Sequence, residues 1–116
     1  MKKLLLITAV LGATTAYTPN LIANDRISSR LCEYISVNDK KRLRSFLKIE
    51  KVKIRKIFKD VQCDNQNLLE FAASSKALDI GEFLISKLPV KTVAKSMDVI
   101  SQHSAHLATA AQKRIK

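Results

Sequence analysis

The sequence predicts an all-α protein built of two short helical hairpins and a C-terminal helix, behind a cleavable export signal. Three observations carry this prediction. Glycine and proline are scarce, two of each in 116 residues. Only Gly81, Pro19 and Pro89 lie beyond the first sixteen positions. β-Rich chains need frequent turn residues, so this scarcity favours helices joined by short polar turns. Apolar residues also recur at i, i+3, i+4: Leu43, Phe46 and Leu47; Ile54, Ile57 and Phe58; Ile80, Phe83 and Leu84. Each set makes one stripe on a helix. Finally, a shift of 37 positions lays Leu31, Glu33, Tyr34, Leu43, Phe46 and Leu47 on Leu68, Glu70, Phe71, Ile80, Phe83 and Leu84. Two hairpins whose apolar faces cover one another account for such a repeat.

The chain opens as an export signal. Lys2 and Lys3 precede the apolar run Leu4, Leu5, Leu6, Ile7, Ala9, Val10 and Leu11, and small residues follow. Thr14-Thr15-Ala16 is an acceptable cleavage site, which makes 1–16 the signal peptide. A second candidate cut follows Ala23, although Leu21 is a poor residue three places before it. The run is shorter than the roughly 20 apolar residues that span a bilayer, so no transmembrane span is expected after cleavage. The protein is expected in the periplasm or outside the cell.

A helical domain over 27–88 and a C-terminal helix or tail over 89–116 follow. Asn38-Asp39 can cap a helix running from residue 40 to about 48. Asn67 with Glu70, and Asp79 with Glu82, are spaced as capping boxes, in which each partner satisfies an orphan backbone amide. Pro89 ends the helix that carries Phe83. Val93, Met97 and Ile100 then suggest one further helix whose Ala-rich end frays.

The two cysteines, Cys32 and Cys63, lie 31 positions apart. In an oxidising compartment an even pair in a small exported domain favours a disulfide. It would stabilise by roughly 3–4 kcal/mol through loop closure. The alternative is two buried thiols that never meet.

Charge is distributed unevenly. Segment 40–59 holds ten of the 21 lysines and arginines and only one of the ten acids, Glu50. Beyond residue 16, the rest of the chain carries nine charges of each sign. Like charges spaced i, i+4, such as Arg44 with Lys48 and Lys51 with Arg55, repel on a helix. An anionic partner would relieve that repulsion. The candidate contacts are Lys40, Lys41, Arg42, Arg44, Lys48, Lys51, Arg55 and Lys56. A solvated, solubilising face is the plainer reading of the same residues. The expected partner is an anionic envelope component or an acidic protein. Nucleic acid is disfavoured because no Tyr or Trp interleaves the cations to stack on bases. A peripheral membrane-surface protein, its helix lying on anionic lipid or lipopolysaccharide, is the second possibility.

No enzymatic chemistry is expected. His103 and His106 could share a helix face, but two histidines without a nearby acid or thiolate make a poor metal site. No Ser/His/Asp order, paired buried carboxylates or glycine-rich phosphate loop is present. No catalytic, cofactor or metal residue is therefore assigned.

Two resemblances add to this. Residues 67–85, NLLEFAASSKALDIGEFLI, resemble the helix pair of an ankyrin repeat, with Ala72 and Ala73 where paired alanines let two helices approach. Lys76 stands where that repeat carries its inter-helix glycine, and Glu70 where it carries histidine. More extensively, LCEY at 31–34, KRLRSFL at 41–47, IRKIF at 54–58, VQC at 61–63, NLLEFAA at 67–73 and KLP at 87–89 resemble the small exported bacterial proteins of domain of unknown function 3718. The paired cysteines fit that pattern. The resemblance implies export and a compact domain, and assigns no activity.

Overall fold

A computed structural model describes residues 19–116, all of it helices and turns apart from one isolated bridge. The expected signal peptide and its earlier cleavage site lie outside the described residues. The helices are α1 (Pro19–Ser36), α2 (Lys40–Glu50), α3 (Ile54–Ile57), α4 (Leu68–Ser74), α5 (Leu78–Lys87), α6 (Val90–Lys95), α7 (Met97–His103) and α8 (Ala105–Ile115). A 3₁₀ turn, Phe58–Asp60, continues α3.

α1 and α2 form the first hairpin, and α4 and α5 the second. α1 packs on α4 and α2 on α5, so the two stand side by side. Residues paired by the 37-position shift fill one core: Leu31, Leu43, Leu68, Ile80 and Leu84 are fully buried, and Leu47 nearly so. Tyr34 meets Phe46 edge to face, with ring centroids 5.8 Å apart. Aromatic pairs favour that geometry because the positive ring edge faces the negative ring face.

The turns explain how helices end so sharply without glycine. Asn38, Lys51 and Lys76 take left-handed backbone conformations, with φ of 57°, 56° and 59°. A residue with a Cβ pays roughly 1–2 kcal/mol there. Each turn offsets that cost with two hydrogen bonds to helix-end carbonyls. Asp39 N donates to Tyr34 O and Asn38 N to Ile35 O; Val52 N to Leu47 O and Lys51 N to Lys48 O; Ala77 N to Ala72 O and Lys76 N to Ala73 O. These are Schellman pairs. Asp64 and Asn65 are also left-handed, in the tight turn that joins Cys63 to Gln66.

Capping follows the sequence in two places and departs from it in a third. Asp39 Oδ1 accepts from Arg42 N at 3.1 Å and starts α2 at Lys40. Asn67 and Glu70 form the full capping box of α4. The expected Asp79–Glu82 box does not form. α5 begins at Leu78, after Ala77, with no side-chain cap of its own. Its Ile80 amide donates instead to Asn38 Oδ1 of the first hairpin, at 3.1 Å. Asp79 sits two residues too late to be the cap.

Residues beyond Pro89 form three helices where the spacing suggests one. Val93, Ile100 and Leu107, seven apart, are fully buried, as is Ala111. Two buried serines break the run. Ser96 Oγ accepts from Asn67 Nδ2 at 3.2 Å. Ser104 is extended (φ −152°, ψ 108°) and caps α8 by accepting from Leu107 N. α8 does not trail away as a tail. It packs on α5, α6 and α7. Arg114 fastens its end by donating to Ile85 O and Leu88 O, both at 3.2 Å. Gly81 lets α8 lie close, since a Cβ there would fall 2.5 Å from Leu107 Cδ1.

The Cys32–Cys63 disulfide is formed, with Cα atoms 5.7 Å apart. It ties α1 to the turn before α4, where little regular structure otherwise holds the chain. No helix of the described residues is long and apolar enough to cross a membrane.

Candidate anion-binding groove

Segment 40–59 does not form one continuous helix. Lys51 turns the chain, Lys53 is extended, and α3 restarts at Ile54. α2 buries Leu43 and Leu47. At 3.6 residues per turn, Lys41, Arg44 and Lys48 then share a stripe beside that buried face. α5 lies alongside and presents Phe83 and, one turn later, Lys87.

Between these elements runs a groove of two lobes that share four lining residues. One is about 700 Å³ and reaches Lys51, Lys53, Arg55 and Arg114. The other is about 430 Å³ and reaches Lys41, Arg44 and Ser45. Leu47, Lys48, Phe83 and Lys87 line both. Among the described residues, eight cationic side chains therefore border the groove and no carboxylate lines either lobe.

The nearby acids are engaged elsewhere. Glu50, the one acid of the segment, accepts from Arg26 Nη2 at 2.9 Å. That hydrogen bond holds the Glu50 carboxyl below its ordinary pKa, against the opposing pull of desolvation, and the charge attraction adds to it. Glu82 pairs with His106 Nε2. Among the described residues, none of the groove's eight cations pairs with a carboxylate. Phe83 gathers two of them: Arg44 Cζ lies 6.0 Å and Lys87 Nζ 5.7 Å from its ring centroid. Those distances allow cation–π attraction, which holds two like charges near one ring.

Five of the eight residues expected to contact an anion line this groove: Lys41, Arg44, Lys48, Lys51 and Arg55. Lys40, Arg42 and Lys56 line neither lobe. Arg42 turns back to Asp39, 3.4 Å away. Lys87 and Arg114 join the groove from outside the basic segment. Lys87 could have been found, because it follows Phe83 at i+4 and the repeat sets α5 beside α2. Nothing local marks Arg114, which arrives from α8.

The histidines do not share a helix: His103 ends α7 and His106 lies in the first turn of α8. Among the described residues, no group of three or more His, Cys, Asp or Glu is placed to hold a metal ion.

Fold and groove together define a small, disulfide-linked, all-α domain with a cationic cleft. Residues 31–95 match the family described as protein of unknown function DUF3718. The chain belongs to that family, and α7 and α8 lie beyond the matched residues. No curated protein and no solved structure gives a significant match.

Proposed function

We propose that this is an exported, non-enzymatic binding module whose cationic groove holds an anionic component of the cell envelope or an acidic protein. One observation carries the proposal: eight cations border one groove with no carboxylate among them. Clustered like charge destabilises a fold, and a bound anion relieves it. A purely solubilising role would be served as well by cations scattered over the surface. The export signal in the sequence and the disulfide support a location outside the cytoplasm, periplasmic or secreted.

The ankyrin-like reading of the second hairpin belongs with this proposal, since stacked hairpins present one continuous face to a partner. Lys76 supports it by taking, at φ 59°, the conformation glycine favours. The alternative of an amphipathic helix lying on a membrane has less support. The segment breaks at Lys51, and the apolar face of α2 is already occupied by the core.

The test compares two variants of equal net charge on an anionic resin. One carries Lys41→Gln, Arg44→Gln, Lys48→Gln and Arg55→Gln. The other carries Lys40→Gln, Lys56→Gln, Lys59→Gln and Lys91→Gln, all exposed and outside the groove. The groove variant should elute at clearly lower salt than its charge-matched control. Identical elution of the two overturns the proposal.

A further inference from the structure

The groove is bordered by cations but floored with carbon. Leu47 and Ile54 are almost wholly buried beneath it. Val52 and Phe83 are half-buried, and they present apolar surface between the charged rims. Hydrogen-bonding capacity is as one-sided as the charge. Apart from the hydroxyls of Ser45 and Ser86, no lining side chain can accept a hydrogen bond. The carbonyls of Ile85 and Leu88 are already taken by Arg114.

A ligand is therefore favoured in proportion to how few N–H donors it brings. An extended acidic peptide carries a backbone amide at every residue, and among the lining side chains those amides would find only the two serine hydroxyls to accept them. Nucleobases would need a free ring face, and Phe83 already holds Arg44 and Lys87 near its ring. A ligand made only of anionic oxygen and hydrocarbon matches both the cationic rim and the apolar floor. Its head finds charge-assisted donors at the rim. Its chain covers the apolar floor. The larger lobe, about 700 Å³, falls in the usual range for a small-molecule site.

We propose that the groove binds a phosphate-bearing amphiphile, the phosphate between Arg44 and Lys87 and an acyl chain along Val52, Ile54 and Phe83. This rests on the anion-binding reading above and names the ligand chemistry for the same site. The phosphate is that of a lipid headgroup.

The test is calorimetric titration of the oxidised, exported protein with dihexanoyl phosphatidic acid below its micelle concentration. Glycerol phosphate supplies the same head without chains, and dihexanoyl phosphatidylcholine the same chains without net charge. The phosphatidic acid should bind at least tenfold more tightly than either, since each buried methylene contributes roughly a fourfold gain. The surface variant Arg44→Gln/Lys87→Gln should lose at least tenfold for the phosphatidic acid. Val52→Thr, which keeps the side-chain shape but adds a hydroxyl on the apolar floor, should weaken phosphatidic acid more than it weakens glycerol phosphate. Equal affinity for phosphatidic acid and glycerol phosphate overturns the inference while the anion-binding proposal stands. Tighter binding of polyglutamate than of phosphatidic acid overturns it in favour of an acidic protein. Equal binding of phosphatidylcholine removes the role of charge. If no anion binds, and the two charge-matched variants elute together, both proposals fall.

Discussion

Replacing Gly81 with alanine should destabilise this protein, although alanine is the better helix former by about 1 kcal/mol. Gly81 lies in the middle of α5 and is buried against α8. The new methyl would meet Leu107 Cδ1 at 2.5 Å, Cδ2 at 2.6 Å and Cγ at 3.1 Å. Leu107 has no exposed surface into which to turn. Either it leaves its rotamer or α8 shifts, and Arg114 anchors α8 to the end of α5. Overpacking of this kind costs about 1–3 kcal/mol. After the propensity gain, the net loss should be up to about 2 kcal/mol, or a fall in Tm of up to roughly 15 °C. Thermal unfolding followed by circular dichroism measures it. The partner variant makes the reasoning specific. Leu107→Ala alone should cost about 2–5 kcal/mol through the cavity it leaves. In that background Gly81→Ala should become neutral or stabilising, giving a large coupling between the sites. A rise in Tm for the single Gly81→Ala variant would refute the close packing of α8. So would an equal cost in both backgrounds.

Two further predictions concern the joints of the fold. Asn38→Ala leaves a Cβ in the left-handed turn, as before, but removes the acceptor for the buried Ile80 amide. It should cost about 1–2 kcal/mol in chemical denaturation, whereas Asp79→Ala should stay within about 0.5 kcal/mol. The reverse order would restore a local cap for α5. The Arg26–Glu50 pair should impose an acid limit on stability. The Glu50 pKa is lowered in the folded state, so the unfolded chain takes up the proton first as pH falls. The stabilisation is complete well above about pH 4.5, the ordinary glutamate value. It is lost as pH drops through the lower folded value. Glu50→Gln should flatten that part of a Tm-against-pH profile, and an unchanged profile would show that the pair contributes nothing.

Much of the fold was legible because it depends on local periodicity. The stripe at Leu43, Phe46 and Leu47, its repeat at Ile80, Phe83 and Leu84, and the Asn67–Glu70 box each lie within one helical turn or one fixed shift. The helix ends were partly legible. Asp39 and Pro89 act as expected, while the left-handed Lys51 and Lys76 carry no local mark, because lysine is a poor choice there and is stabilised by the Schellman bonds and, at Lys76, by a bond from its Nζ to His103 O. The serine breaks after Pro89 were missed for a related reason. Val93, Met97 and Ile100 fit one helix, and only the burial of Ser96 and Ser104 in place of apolar side chains reveals two interruptions.

The sequence by itself determined the all-α class, the hairpin pairing, and the concentration of positive charge in segment 40–59, since composition and spacing are properties of the chain. Tertiary structure decided that Cys32 and Cys63 meet, that Asn38 caps a helix 42 positions away, and that α8 closes the core against Gly81. It also decided which cations act together. Lys87 and Arg114 reach the groove while Lys40, Arg42 and Lys56 do not, because proximity across helices depends on packing rather than on distance along the chain.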